Sequence, residues 1–240
     1  MTYAEVIPAR FLARPNRFIA RVEIAGEETE VHVKNTGRCR ELLVPGCPVY
    51  LARSRNPARK TQYDLIAVRK LSTGELVNLD SQVANDAAAE WLAQGTLFPP
   101  DAVIRREVTR GGSRFDFCIE QAPNGPRTYL EVKGVTLEEG GVARFPDAPT
   151  VRGVKHLREL TALCLGGEGA CLLFVVQMKG VRLLRPNDRT DPAFGEALRA
   201  AAAAGVKLLA MDCRVEPDSI TLDAPVPIAL EPEKEKEKLR

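Results

Sequence analysis

The apolar residues of the first eighty positions recur in short alternating runs, not at helical spacing. Residues 18–24, 29–33, 48–52 and 64–70 are each β-rich, with Gly, Pro or Asn between them. Short strands at such intervals predict a small, OB-fold-like β-barrel. Among them, residues 35–43 (Asn-Thr-Gly-Arg-Cys-Arg-Glu-Leu-Leu) predict a capped turn of helix that Pro45-Gly46 ends.

The pattern changes near residue 83. Residues 86–94 predict a helix, with Asn85 or Asp86 as N-cap and Gly95 past its end. Strands follow over 103–109, 114–120 and 128–133, the last two joined by a hairpin turn at Pro123-Asn124-Gly125-Pro126. A helix over 152–165 closes on Gly166-Gly167, and the unbroken apolar run 171–176 predicts a strand buried on both faces. A helix over 192–204 and a strand over 206–211 complete the set. The chain therefore divides into a barrel domain (1–82), an α/β domain (83–224) and a charged, low-complexity tail (225–240) predicted to be disordered.

The α-β-β-β-α-β order directs attention to residues 114–133. Strand alternation puts Glu131 and Lys133 on one face and Val132 on the other, with the first two roughly 6.5 Å apart. Asp116 lies between Phe115 and Phe117 on the partner strand, where an uncompensated carboxylate is expensive. Two carboxylates and a lysine meeting at one point suit a Mg²⁺- or Mn²⁺-dependent phosphodiesterase. Hard oxygens hold the metal, and the ammonium orients or polarises the attacking water. The spacing is the Asp…Glu-x-Lys signature of a PD-(D/E)xK, restriction-endonuclease-like domain. A solvated strand face carrying a Glu131–Lys133 ion pair is the structural alternative.

Other residues fall around this centre. Glu90, on the preceding helix, is a candidate third metal carboxylate, or a solvent-facing helical residue. Arg152, Lys155 and His156 open the next helix and are candidates to meet the scissile phosphate, or form a simply solvated basic first turn. A metal-activated water makes His156 unnecessary as a general base. In the first domain, residues 10–18 interleave Arg14 and Arg17 with phenylalanines, a composition that can grip single strands through phosphate contacts and stacking; the alternative is core phenylalanines with arginines merely exposed. Arg59 and Lys60 form a second basic loop with the same two readings, and Arg38 belongs to either a phosphate-binding turn or a helix cap.

Composition narrows the setting. The chain has 240 residues, 45% hydrophobic and 28% charged, with a formal net charge of +2. That is ordinary for a soluble globular protein. Residues 1–82 carry 13 Lys/Arg against 9 Asp/Glu, whereas the remainder carries 21 against 23. A basic first part beside an acidic second part suits a polyanionic ligand. No apolar run reaches membrane-spanning length, and residues 1–5 lack a secretory pattern, so a cytoplasmic location is expected. Six scattered cysteines without a C-x-x-C pair predict reduced core residues.

Longer stretches carry a resemblance. They include Ala9-Arg10-Phe11-Leu12 with Arg14-Pro15-Asn16-Arg17-Phe18, Asn35-Thr36-Gly37-Arg38, Ser113-Arg114-Phe115-Asp116-Phe117, Glu131-Val132-Lys133 and Phe145-Pro146-Asp147. Lys155-His156-Leu157-Arg158-Glu159-Leu160 and Leu173-Phe174-Val175-Val176-Gln177 complete them. From about residue 3 to residue 222 the chain resembles the sugar fermentation stimulation protein A family. The resemblance implies an OB-fold-like barrel joined to a PD-(D/E)xK nuclease-like domain. It also implies sequence-non-specific DNA binding and a role in regulating sugar (maltose) metabolism, and it maps the nuclease-type positions onto Asp116, Glu131 and Lys133. Gly134 and the alanine-rich helix around residues 86–90 depart from the family pattern. Two functions remain open: a DNA-binding protein with metal-dependent phosphodiesterase chemistry, or a non-catalytic DNA-binding regulator on a nuclease scaffold.

Overall fold

The computed structural model describes residues 1–35, 37–54, 56, 58–122 and 125–232. Six strands build the first domain: β1 (Val6–Ala13), β2 (Ile19–Ile24), β3 (Glu27–Val33), β4 (Pro48–Arg53), β5 (Tyr63–Arg69) and β6 (Leu76–Asn78). They run in the order β3-β2-β1-β4-β5-β6. A parallel β3–β5 pairing, His32 opposite Asp64 and Val33 opposite Leu65, closes the first five into a barrel. Closure leaves no free edge among those five. Its interior is Phe11, Val22, Val31, Val49, Leu51 and Val68, each buried.

The second domain holds α1 (Val83–Ala93), β7 (Val103–Arg110), β8 (Ser113–Glu120), β9 (Arg127–Val135), β10 (Glu138–Glu139), β11 (Val142–Phe145), α2 (Val151–Leu165), β12 (Gly169–Val176), β13 (Leu183–Pro186), α3 (Pro192–Ala203), β14 (Lys207–Glu216) and β15 (Ser219–Pro225). Its main sheet runs β15-β14-β12-β9-β8-β7, and β10, β11 and β13 form a small second sheet. The central β9, β12 and β14 are parallel. On β12, Cys171, Leu173 and Val175 join the core under α1, while Leu172, Phe174 and Val176 join the core under α2 and α3. Helices on both faces explain the unbroken apolar run. This is the barrel plus mixed α/β architecture expected from the sequence.

Several local expectations change. Residues 35–43 contain a hydrogen-bonded turn in which Leu42 and Leu43 donate to the Cys39 carbonyl, not a helix; Thr36 lies outside the described residues, as do Pro123 and Asn124 of the hairpin turn. Helix α1 starts at Val83 with Gln82 in the cap position and no side-chain cap, so Asn85 lies inside it. The first barrel strand occupies residues read as an arginine–aromatic segment. The chain beyond 224 does not leave the domain at once. Val226 is buried, Ile228 bridges Leu184, and Leu230 packs on the same core. Apolar side chains at those positions hold the chain down, and residues 233–240 lie outside the described set. All six cysteines are free. Among the described residues no helix is long and apolar enough to cross a membrane.

Candidate metal and phosphodiester site

The site forms where two paired strands part. β8 and β9 are in register from Glu120 opposite Arg127 to Phe117 opposite Leu130, and the pairing stops there. One step on, the Val132 N–H donates to Asp116 Oδ2 at 2.8 Å. A side-chain carboxylate thus satisfies a strand donor that would otherwise be orphaned. Asp116 Oδ1 accepts from Asn85 Nδ2 at 2.8 Å, which ties β8 to α1.

Glu131 points to the opposite face from Val132, toward α2. It is only 3% exposed. Its Oε1 accepts from Lys133 Nζ at 2.6 Å and from His156 Nδ1. Its Oε2 is buried and has no hydrogen-bond partner among the described residues. With Nδ1–H donated to Glu131, His156 Nε2 is left to accept from Arg152 Nε, 3.4 Å away. The His156 ring lies 6.1 Å from the Phe115 ring, which holds its orientation.

The two carboxyl groups are pushed in opposite directions. Burial, and then the Glu131 charge, raise the pKa of Asp116 above the ordinary carboxylate value. Burial opposes the Glu131 charge as well, but His156 and Lys133 outweigh it and lower its pKa. A half-buried carboxylate that resists ionisation beside an unpartnered buried oxygen is a place a hard cation would relieve. Asp116 and Glu131 Oε2 are the two groups here that could hold a divalent ion. Among the described residues no group of three or more His, Cys, Asp or Glu side chains is placed to hold one.

Asp116, Glu131, Lys133 and His156 are brought together, and Arg152 reaches His156 from the first turn of α2; Glu90 is not among them. Glu90 is exposed and pairs with the Met1 ammonium, which also donates to the Ile220 carbonyl. It sits on a different face of α1 from Asn85. Asn85 is the α1 side chain that reaches Asp116, and a helix N-cap reading concealed it. His156 is buried behind Glu131 and is not a surface contact. Lys155 donates to the Gly112 carbonyl at 2.7 Å and lies 3.8 Å from Glu159.

In the barrel, Arg14 is a structural clamp. Its guanidinium donates to the carbonyls of Arg17, Asn35, Gly37 and Arg38. Arg59 is likewise engaged, with Asp64 Oδ1 at 2.9 Å. Neither is free to grip phosphate. Arg17, Arg38 and Lys60 are exposed, with Arg17 stacked over the Phe18 ring at 4.9 Å.

Comparison with known proteins agrees with both halves. Residues 12–79 match the SfsA N-terminal OB domain model, and residues 82–219 match the sugar fermentation stimulation protein RE domain model. The sugar fermentation stimulation protein homolog of Desulfitobacterium hafniense (strain Y51) is 53% identical over 220 residues, 92% of this chain and 94% of that one. The homolog of Clostridium beijerinckii is 46% identical over 222 residues, 92% of this chain and 96% of that one. A solved structure described as Pyrococcus furiosus SfsA in complex with Ca²⁺ superposes with a TM-score of 0.83. It is 30% identical and covers 95% of this chain and 98% of that one. The chain therefore belongs to the sugar fermentation stimulation protein family.

Proposed function

We propose that the protein binds DNA without sequence preference and carries a metal-dependent phosphodiesterase site at Asp116, Glu131 and Lys133. The observation that carries this reading is the buried, unpartnered Glu131 Oε2 beside an Asp116 carboxyl held above its usual pKa. The structure of a related protein in complex with Ca²⁺ adds support. Asp116 and Glu131 would hold Mg²⁺ or Mn²⁺. When bound, the ion supplies Lewis-acid polarisation of the phosphoryl oxygen and a more acidic water. Lys133 donates hydrogen bonds to the attacking water or to the developing phosphorane charge. His156 fixes the Glu131 carboxylate, and Asn85 fixes Asp116. Arg17, Arg38 and Lys60 supply exposed positive charge for the backbone of the polynucleotide.

Titration of Mn²⁺ into the wild type and Glu131→Gln by calorimetry tests the metal site. Saturable binding that disappears in Glu131→Gln is expected; binding unchanged by the substitution contradicts it. A second reading is favoured by the lack of a three-ligand cluster among the described residues and by Lys133 and His156 both lying on Glu131 Oε1. On that reading the scaffold binds DNA as a regulator of sugar metabolism and leaves it intact.

A further inference from the structure

A cavity of about 280 Å³ lies between the two domains. Its floor, Gly134 to Thr136, is the continuation of β9 beyond Lys133. Asn35 and Gly37 of the barrel close one side, and the Phe145–Thr150 connection into α2 closes the other. We propose that this cavity receives the terminal nucleotide of a single-stranded polynucleotide, so that the site acts on strand ends. The proposal rests on the phosphodiesterase reading and names its substrate class.

Three observations lead there. The volume lies at the lower edge of small-molecule pockets, which leaves room for about one nucleotide and none for a base-paired step. The wall is rigid and close. A Cβ on Gly37 would lie 1.9 Å from Asp147 Oδ2, and one on Gly134 would lie 2.3 Å from Gln177 Oε1. Glycine at both positions lets the backbones approach and keeps the cavity from collapsing around a bulkier wall.

Its polarity is also informative. Among the described residues two charged side chains line the cavity: Arg144, which pairs with Glu139 at 3.6 Å, and Asp147, which suits hydrogen-bond donors such as the amino groups of a base or the hydroxyl of a terminal sugar. Phosphate is accommodated next door. Gly37 and Ala148 also line a second cavity of about 400 Å³, whose rim carries the exposed Arg17, Arg38 and Arg40. A strand whose last nucleotide fills the first cavity would present the phosphodiester behind it to Lys133, the residue before the Gly134 floor, with later phosphates among these arginines. Each turnover would add one water across one phosphodiester. The water oxygen forms the new P–O bond, the leaving sugar oxygen takes the proton, and a mononucleotide departs.

The test uses the whole chain and a 30-nucleotide strand with an internal fluorophore, linear or ligated into a circle. In EDTA, where no hydrolysis runs, anisotropy should show the linear strand bound at least tenfold tighter. Deoxyadenosine monophosphate should erase that advantage without displacing the circle. Ala148→Phe fills the junction of the two cavities and should lower the linear strand to the circle's affinity. Equal binding of line and circle by the wild type, or a folded Ala148→Phe with full end preference, overturns the proposal. If the variant does not fold, the monophosphate competition decides alone. In Mn²⁺, end preference without hydrolysis keeps the pocket and removes the phosphodiesterase reading. Equal hydrolysis of line and circle does the reverse.

Discussion

The Asp116 carboxylate stands where a strand carbonyl would: it takes the Val132 N–H at 2.8 Å at the point where β8 and β9 separate. The parting of the strands and the placing of the carboxylate are one event. The backbone of the residue between Glu131 and Lys133 thereby fixes Asp116 relative to both.

The second donor to Asp116, Asn85, gives the first prediction. Asn85→Ala removes the 2.8 Å hydrogen bond to Oδ1 and leaves the Val132 N–H in place. Loss of such a supporting hydrogen bond costs about 10- to 100-fold in metal affinity. Mn²⁺ titration by calorimetry should show a loss of that order with the fold retained; undiminished affinity would mean that Asn85 does not orient the ligand.

Lys133 and Glu131 are separable. Glu131→Gln should abolish the rise in Tm that Mn²⁺ produces, because it removes the charge that the ion neutralises. Lys133 lies on Oε1 and leaves Oε2 alone, so Lys133→Ala should keep or enlarge that rise. It should lower any DNA hydrolysis by about 10²- to 10³-fold, as loss of a transition-state donor does. Scanning calorimetry with and without Mn²⁺ checks the first part. A folded Lys133→Ala that no longer responds to metal would show that the lysine does more than donate.

Arg14 and the exposed arginines should part company in a salt titration. Arg14→Ala deprives four carbonyls of their donor and should cost about 2 kcal/mol, read as a lower denaturant midpoint. Arg17→Ala with Arg38→Ala should leave that midpoint unchanged. It should lower DNA affinity and reduce the log–log salt slope by roughly one unit for each phosphate that is no longer neutralised. An unchanged slope would move the DNA surface away from the barrel.

Acid should expose the barrel's closing strand pair. Burial opposes the Asp64 charge, but Arg59 and Lys34 prevail and hold its pKa below the ordinary carboxylate value of 3.8. The lowered folded-state pKa means that the stabilisation is fully present above that ordinary value. It is lost as pH falls through the lower, folded-state pKa. Asp64→Asn should therefore destabilise at pH 7 by about 2 kcal/mol, since it takes the carboxylate partner from Arg59 and leaves Lys34 with Asp80 alone. The gap between the variant and the wild type should close in denaturant melts below pH 4. A gap that stays constant to pH 2 would place the effect outside Asp64 ionisation.

What the sequence made legible was local. Alternation placed Glu131 and Lys133 on one face, and the run at 171–176 announced a strand covered on both sides. The same periodicity failed where distant partners decide. The strand Val6–Ala13 was hidden because barrel closure, not alternation, buries Phe11. Helix α1 begins with no side-chain cap, so residues 83–85 carried no start signal, and Asn85 was missed as a partner of Asp116. The pairing of His156 with Glu131 spans 25 residues and needs α2 laid across β9. Arg14 and Arg59 read as exposed charge, because nothing local records the four carbonyls or the Asp64 carboxylate that bind them.

The central claim is that Asp116 and Glu131 serve hydrolysis of DNA. The most direct measurement is incubation of purified wild type and Asp116→Ala with linear single-stranded DNA in Mn²⁺, resolved on a denaturing gel. Hydrolysis by the wild type, with none by a folded Asp116→Ala, is the predicted result. An intact substrate with metal-loaded wild type, or equal hydrolysis by the variant, contradicts it.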